Sequence, residues 1–312
     1  MDNNNNNSEE PNMKRRRTND ISISNAGNVC NNMQEAIGID SFSNDIVIRF
    51  ASYLCSRDLV NLSLTCRRFG SSKVDGLSLA ETTARQIICN AKEDERNALP
   101  KLADQTYIEV YSELEQLRAP RIFDQLIGKE ISYVDDDKSL VECSTQYTSS
   151  TAICDHVMRA GKHYVTFTIM EVSSMIHLGI VRPLPNWDQK GLDRFDPYSC
   201  NQNYSELRSE RTDRWGHSNI HHCSLVSYGR YCWSDWERRY EVDHWDAREE
   251  ASFGIDEEVG MLLDLEAGTL SIYKEGRRVC MLKDGLSGEY CWAVSLWEDG
   301  ERVGIERGNI PN

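Results

Sequence analysis

The chain has 312 residues, a length that corresponds to about two folded units at roughly 150 residues each. Its 50 acidic residues outnumber its 35 Lys and Arg residues, so the formal net charge is -15. This acidic balance excludes broad nucleic-acid binding, because phosphate contacts require a basic surface. It also excludes electrostatic attachment to an anionic membrane surface.

The sequence contains no apolar run near the roughly 20 residues that a transmembrane helix needs. Its start, Met1 and Asp2 followed by asparagines, lacks the apolar core of a signal peptide. We therefore expect an intracellular protein, cytoplasmic and/or nuclear, with reduced thiols. Its 11 cysteines are odd in number and form no Cys-x-x-Cys pair, which argues against a disulfide framework and a zinc finger.

Residues 1–35 are rich in Asn, Ser and Glu and nearly free of large apolar side chains. Such a segment buries too little apolar surface to offset its ordering entropy, so we expect a disordered tail. Within it, Lys14–Arg17 form a compact basic run. The run has two interpretations, a nuclear import signal or a solvated charge cluster in a flexible tail.

Residues 41–70 have the pattern of two or three short helices. Ser43 or Asn44 can cap the first helix, and Asp45 lies favourably at its positive end. The apolar positions then recur at helical spacing, and Ser56 can cap a second helix. These positions are Ile46, Phe50, Leu54, Leu59, Leu62, Cys66 and Phe69. Because some 30 residues cannot form a substantial core alone, we expect these stripes to rest on a partner.

This segment resembles the F-box family. The matching residues are Phe42-Ser43-Asn44-Asp45, Ile46 to Phe50, Tyr53-Leu54, Asp58-Leu59, Leu62 and Cys66-Arg67-Arg68-Phe69. The opening departs from the family's Leu-Pro-x-Glu, whereas the second half follows its pattern closely. The resemblance implies binding to a Skp1-type adaptor of a cullin complex through Phe42, Ile46, Phe50, Leu54, Leu59 and Leu62. The alternative is an ordinary helical hairpin that packs on the chain's own linker.

Residues 71–120 also have a helical pattern. Apolar positions precede Pro100, and a second stripe from Tyr107 to Leu117 ends before Pro120. We interpret this segment as a helical linker between two modules.

From residue 121 onward the apolar period changes from 3.6 to 2. Residues 164–169 alternate between two faces, and the runs 259–265 and 269–274, separated by a short turn that ends in Gly268, predict a β-hairpin. Residues 176–181, 292–297 and 302–306 add further strands. Many short strands without long helices between them predict an antiparallel β-sandwich, and hence a mainly β protein.

Residues 121–308 resemble the SPRY (B30.2) family. The matching segments are Gly161–Phe167, Ile176–Ile180, Glu258–Leu265 and Gly268–Gly276. Ile272 and Glu275 replace the family's usual Phe and Asn, so the second strand of the hairpin departs from its pattern. The resemblance implies a protein-recognition module and no catalysis.

Other chemistries find little support. Asp264 and Glu266 have the i, i+2 spacing of a glycosidase pair, but position 262 is Leu and Glu266 falls in the turn. No phosphate-binding glycine loop occurs. His217, His221, His222 and Cys223 could ligate zinc but lack a second ligand pair. We expect no enzyme activity, no cofactor and no metal.

The segment 228–240 combines three Tyr, two Trp and three Arg, the residue types enriched at binding hot spots. We expect its exposed members to bind a target protein, with Tyr231, Trp233, Trp236, Arg238 and Trp245 as candidates. Strand alternation would place the other members in the core. The sequence as a whole predicts the substrate-recognition subunit of an SCF-type ubiquitin ligase; the alternative is a SPRY-type interaction scaffold with no ligase role.

Overall fold

The computed structural model describes residues 41–71, 73–74, 76–145, 148–237 and 249–311. The chain divides into two units, Met1–Ser41 and Phe42–Asn312, and the helices and strands below belong to the second. The expected disordered tail 1–35 and the basic run Lys14–Arg17 lie outside the described residues. Among the described helices, none is both long and apolar enough to cross a membrane.

The N-terminal part of this unit, called here the helical module, contains six helices and a two-stranded ribbon. In chain order the elements are α1 (Asn44–Ala51), α2 (Ser56–Thr65), α3 (Arg67–Ser71), β1 (Lys73–Val74), β2 (Leu77–Ser78), α4 (Leu79–Cys89), α5 (Glu93–Ala98) and α6 (Tyr107–Arg118). The predicted cap Ser43 accepts a hydrogen bond from the Ile46 amide at 3.5 Å. Ser56 begins α2, but its amide donates to Glu115 Oε2 of α6 at 3.1 Å.

Helices α1 to α3 share one hydrophobic core with α4 and α6. This core contains Val47, Ala51, Leu59, Phe69, Leu79, Ala84, Val110, Leu114 and Leu117. The Tyr111 hydroxyl, on α6, also donates to the Leu54 carbonyl at 2.8 Å. The segment expected to be a linker therefore supplies ten of the fifteen buried residues of the module's core. Its helices therefore bury the inward apolar side chains of residues 41–70, which the sequence analysis expected a partner protein to bury.

In the described residues, thirteen strands form the C-terminal sandwich. They are β3 (Phe123–Ile127), β4 (Ile131–Val134), β5 (Asp137–Cys143), β6 (Ser150–Cys154), β7 (Lys162–Glu171), β8 (His177–Val181), β9 (His222–Val226), β10 (Tyr231–Ser234), β11 (Glu258–Asp264), β12 (Thr269–Lys274), β13 (Arg277–Lys283), β14 (Cys291–Leu296) and β15 (Arg302–Arg307). One sheet has the order β10-β9-β8-β14-β6-β3, and the other has the order β13-β12-β11-β7-β15-β5-β4. Every strand pair described is antiparallel.

The core between the sheets follows the predicted alternation. Val165, Phe167 and Ile169 of β7 all lie in it, fully buried. The predicted hairpin is β11 and β12, in register from Gly260 opposite Tyr273 to Asp264 opposite Thr269. The prediction of a mainly β protein, with an antiparallel sandwich after a small helical module, is confirmed.

The six-stranded sheet is buried on both faces. In β14, Trp292 and Val294 face the core between the sheets, whereas Cys291 and Ala293 belong to a second cluster on the outer face. That outer cluster also contains Leu184, Trp187, Phe195, Leu207, Trp215 and Trp236. Most of these residues come from the long β8–β9 connection, which includes α7 (Tyr204–Ser209). The connection thus covers apolar side chains that the sheet would otherwise expose.

The helical module meets the sandwich where α5 approaches the start of β7. Gly161 adopts a positive φ of 69°, and a Cβ built there would lie 2.8 Å from both the Cα and the N of Ala98. Only glycine permits this close approach without a shift of backbone. Nearby, Arg159 forms an ion pair with Glu113 of α6. The junction is therefore a close backbone contact reinforced by an ion pair.

Candidate functional site

The most conspicuous surface feature is a set of exposed apolar side chains on the first two helices. Of the twelve large hydrophobic residues exposed in the described chain, six fall between positions 42 and 64. We call this set the helical apolar surface. Its members are Phe42, Ile46, Phe50, Tyr53, Val60 and Leu64. Single exposed apolar side chains are normal, whereas such a concentration makes this set a candidate interaction site.

The helix period explains why these residues stay exposed. Ile46, Phe50 and Tyr53 recur at i, i+4 and i+7, so they lie on one side of α1 and its C-terminal turn. Val60 and Leu64 recur at i and i+4 along α2. The most exposed of the five are Tyr53 at 82 %, Leu64 at 79 % and Phe50 at 69 %. Each of the two helices thus carries one apolar stripe inward and another outward.

The predicted adaptor-binding residues divide between these two stripes. Phe42, Ile46 and Phe50 are exposed, whereas Leu59 is completely buried in the module's core. Leu54 and Leu62 are half-buried and pack against the same core. Leu59 is therefore corrected from a contact residue to a supporting one. Burial by α4 and α6 explains the change, because it places Leu59 out of reach of any partner.

Three members of the helical apolar surface were not among the predicted site residues. Tyr53 was part of the motif match, and Val60 and Leu64 were assigned no role. The i, i+4 spacing of Val60 and Leu64 was a usable signal, because it defines a second apolar stripe offset from that of Leu59 and Leu62. Which stripe faces outward depends on where α4 and α6 pack, and that is not encoded within residues 41–70.

The motif Cys66-Arg67-Arg68-Phe69 holds the start of α1 in place. Phe69 is buried in the module's core. The Arg68 guanidinium donates to the Phe42 carbonyl and, at 3.0 Å, to Asn44 Oδ1. Because a guanidinium has several fixed donors, it can hold two acceptors at once. Arg68 thereby positions Phe42 at the edge of the helical apolar surface.

Three of the residues predicted to bind a target protein are partly or fully buried. Tyr231 and Trp233 of β10 are half-buried and pack against the core between the sheets. Trp236 is fully buried in the outer cluster, where its Nε1 donates to the Pro197 carbonyl at 2.8 Å. Trp236 is thus corrected from a surface residue to a core residue. Arg238 and Trp245 lie outside the described residues.

The histidine-rich segment is structural. His221 and His222 are buried, and burial lowers the pKa of each to about 4, so both imidazoles are neutral near pH 7. The His221 ring lies 5.3 Å from the Trp215 ring and 5.0 Å from the Trp236 ring. Within the described part of the chain, no three potential ligands come close enough to hold a metal ion.

The carboxylate pair considered for glycoside chemistry organises a turn. Asp264 Oδ1 accepts hydrogen bonds from the amides of Glu266 and Ala267 at 3.1 and 2.9 Å. Asp264 Oδ2 also lies 3.4 Å from Lys162 Nζ. These bonds account for Asp264 as an ordinary turn residue of the β11–β12 hairpin.

The sandwich has a cleft of about 410 Å³ beside its outer cluster, called here the outer cleft. Leu184 and Trp215 supply apolar lining, and the charged side chains of Asp155, Glu210, Glu289 and Arg214 also line it. Arg214 Nη1 lies 4.0 Å from Glu289 Oε1. Glu289 is 9 % exposed, and burial raises the pKa of its carboxyl. An apolar cleft with an excess of carboxylates suits a segment that presents a Lys or Arg side chain.

No family model matches the chain, and no curated protein matches it. Among solved structures, it is similar to the SPRY domain of human HERC1, with 15 % identity, a TM-score of 0.38 and coverage of 58 % of this chain and 97 % of that one. It is similar to the TRIM65 PSpry domain, with 18 % identity, a TM-score of 0.35 and coverage of 62 % and 95 %. It is also similar to a human SPRY domain, with 12 % identity, a TM-score of 0.35 and coverage of 57 % and 97 %. Because these values are low, the assignment of two antiparallel sheets rests on the strand pairing itself.

Proposed function

We propose that this chain is the substrate-recognition subunit of an SCF-type ubiquitin ligase. In this proposal the helical module binds a Skp1-type adaptor of the cullin complex, and the SPRY-like sandwich binds a target protein. The observation that carries the proposal is the helical apolar surface, which coincides with the segment that resembles an F-box. The chain acts by proximity, holding its target near a recruited ubiquitin-loaded enzyme, and performs no chemistry itself.

The outward stripes can contribute apolar surface to a complex. Burying an apolar side chain fully contributes about 1.5–3 kcal/mol, and Phe50, Tyr53 and Leu64 each have more than two thirds of their surface free to bury. Aromatic residues at the centre of such a patch are common binding hot spots. The inward stripe, with Leu59, holds both helices on α4 and α6, so the outward stripe is presented by a preformed scaffold.

Target binding is the role we assign to the sandwich, with the outer cleft as its candidate surface. The cleft replaces Tyr231, Trp233 and Trp236, which pack inward. Its carboxylates would recognise a cationic side chain of the target, and its apolar lining would accept the neighbouring residues.

A second function is favoured by one observation. Helices α1 to α3 already pack on α4 and α6, which is the arrangement expected of a scaffold that needs no adaptor. The two functions differ in one measurable property, because only a ligase subunit binds a Skp1-type adaptor through the outward stripes.

The test is direct binding of a purified Skp1-type adaptor to the full chain, measured by isothermal titration calorimetry. Phe50→Asp and Leu64→Asp each place a charge on the helical apolar surface and should abolish binding without unfolding the chain, since both positions are exposed. Ile255→Asp is the control, at the most exposed of the large apolar residues described in the sandwich. Unchanged binding of Phe50→Asp and Leu64→Asp, or no binding by the unaltered chain, would favour the scaffold.

A cell pull-down with the full chain then tests the sandwich's role. Asp155→Lys reverses an exposed charge in the outer cleft, so it should lose target proteins while keeping the adaptor. Loss of the adaptor together with the targets would contradict this division of the two functions.

A further inference from the structure

A small recess lies where α5 and α6 of the helical module approach β7 and the end of β15. It has a volume of about 100 Å³. Five basic or imidazole side chains line it, and we call it the junction recess. They are Lys92, Arg121, Lys162, His163 and Arg307. In a chain of net charge -15, such a local concentration of cations calls for an explanation.

Arg121 is the unusual member of the set. Its side chain is almost fully buried, with 4 % of the residue exposed. Nη1 and Nη2 donate to the carbonyls of Gln116 and Leu117 at 3.0 and 3.1 Å, while Nε has no acceptor within the described residues. The carbonyls at the C-terminus of α6 offset part of its charge. No described carboxylate lies within 4.0 Å of it, and burying a cation without a counter-ion is unfavourable.

The neighbouring charges leave the junction recess positive. Arg307 repels Arg121 and, like Lys92, forms no ion pair described in the chain. Two carboxylates also line the recess, those of Asp94 and Glu95. Glu95 is held by Arg118 through two hydrogen bonds of 2.8 Å, so its charge is already matched. Lys162 is likewise matched, because its Nζ lies 3.4 Å from Asp264 Oδ2. Three cations, Lys92, Arg121 and Arg307, therefore face one carboxylate, that of Asp94, which forms no ion pair with the described residues.

His163 supplies a second buried polar atom without a partner. Its Nε2 lies 2.8 Å from the Ala160 carbonyl, and because a carbonyl only accepts, Nε2 carries the proton. In the neutral ring Nδ1 is then an acceptor, and no described donor contacts it. The junction recess thus combines an unused N–H of Arg121 with an unused acceptor of His163, which is 4 % exposed.

We propose that the junction recess binds a phosphate-type oxyanion. The unused Arg121 Nε–H, Lys92 and Arg307 would donate to its oxygens, since guanidinium and ammonium groups form strong charge-assisted hydrogen bonds to phosphate. A hydroxyl of hydrogen phosphate would donate to His163 Nδ1. The volume suits a single tetrahedral group, and the site does not depend on the ligase role of the chain.

Inorganic phosphate added to the full chain tests the proposal, with sodium chloride keeping the ionic strength constant. Calorimetry should show a single site, and the melting temperature should rise with phosphate concentration, because a ligand that binds only the folded state stabilises it. Arg307→Gln should weaken binding about tenfold. Arg307 is exposed, and its side chain forms no hydrogen bond or ion pair with the described residues, while its backbone pairing with β7 is kept in the variant. Arg277→Gln on β13 is the control with an equal change in charge.

Arg121→Gln should abolish binding, but it also removes bonds to α6, so Arg307→Gln decides the outcome if that variant does not fold. A parallel titration with O-phosphoserine distinguishes a free phosphate from a phosphomonoester group, and binding of either supports the site. Two results would overturn it. One is the absence of binding by both ligands, and the other is an equal phosphate response in Arg307→Gln and Arg277→Gln.

Discussion

Buried neutral histidines should make this protein sensitive to mild acid. His163, His221 and His222 are each no more than 4 % exposed, and burial lowers the pKa of each from 6.5 to about 4. A depressed histidine pKa means that the unfolded chain takes up protons that the folded chain rejects. Folding stability is therefore expected to fall as the pH decreases from about 6.5 towards 4.

The size of this effect follows from the two pKa values. At pH 5 an unfolded histidine with a pKa of 6.5 is almost fully protonated, whereas one with a pKa near 4 is mostly neutral. This difference lowers the free energy of unfolding by about 2 kcal/mol per histidine, or about 6 kcal/mol for three. A typical domain has only about 5–15 kcal/mol of stability. Glu289 acts in the opposite direction, because burial raises its pKa, so a comparison between variants is more informative than the absolute loss.

His222→Gln isolates one contribution. Urea unfolding followed by tryptophan fluorescence at pH 7 and pH 5 should show a pH-dependent loss about 2 kcal/mol smaller in this variant than in the unaltered chain, whatever its stability at pH 7. His217→Gln, at an exposed histidine of the same segment, is the control substitution. An equal loss in His222→Gln and the unaltered chain would refute the reasoning.

Two further predictions concern the helical module and its junction. Gly161→Ala should destabilise the chain by about 1–3 kcal/mol more than Gly191→Ala. Both glycines have a positive φ, but only at Gly161 would an added Cβ lie within 3 Å of other backbone atoms, those of Ala98 among them. Equal melting temperatures of the two variants would contradict the close contact. Glu95→Gln should lower stability by about 1–3 kcal/mol at pH 7. The hydrogen bond from Arg118 lowers the Glu95 pKa from 4.5 to about 2, so the stability it contributes is present above pH 4.5 and lost towards pH 2. Urea titrations should therefore show a smaller difference in stability between the two forms at pH 3 than at pH 7.

The strands were readable from the sequence because their signal is local. Alternation alone places Val165, Phe167 and Ile169 on one face of β7, and a short turn that ends in Gly268 sets the β11–β12 register. Trp236, which follows β10 with a φ of 54°, lies in the outer cluster, on the face of the sheet opposite to Tyr231 and Trp233. That face is buried because the β8–β9 connection covers it, and this cover is distant in sequence from residues 228–240.

For the helical apolar surface, the sequence predicts the two helices but does not predict which of their sides is exposed. The sequence reveals that α1 and α2 are apolar at helical spacing, but both helices are apolar on more than one side. The direction that faces solvent is fixed by α4 and α6, whose contacts are distant in sequence. Leu59 and Leu64 therefore look equivalent in the sequence and differ completely in the structure, at 0 % and 79 % exposed.

This distinction changes how the adaptor proposal must be tested. A charge at Leu59 would enter the module's core, where burying an unpaired carboxylate is strongly unfavourable, and the lost binding would report only unfolding. A charge at Leu64 remains in solvent and alters nothing but the outward stripe. Because α4 and α6 hold the module's core together, adaptor binding need not supply the free energy that folds it. Its affinity should therefore reflect the outward stripe itself, and substitutions at Phe50 or Leu64 measure that surface directly.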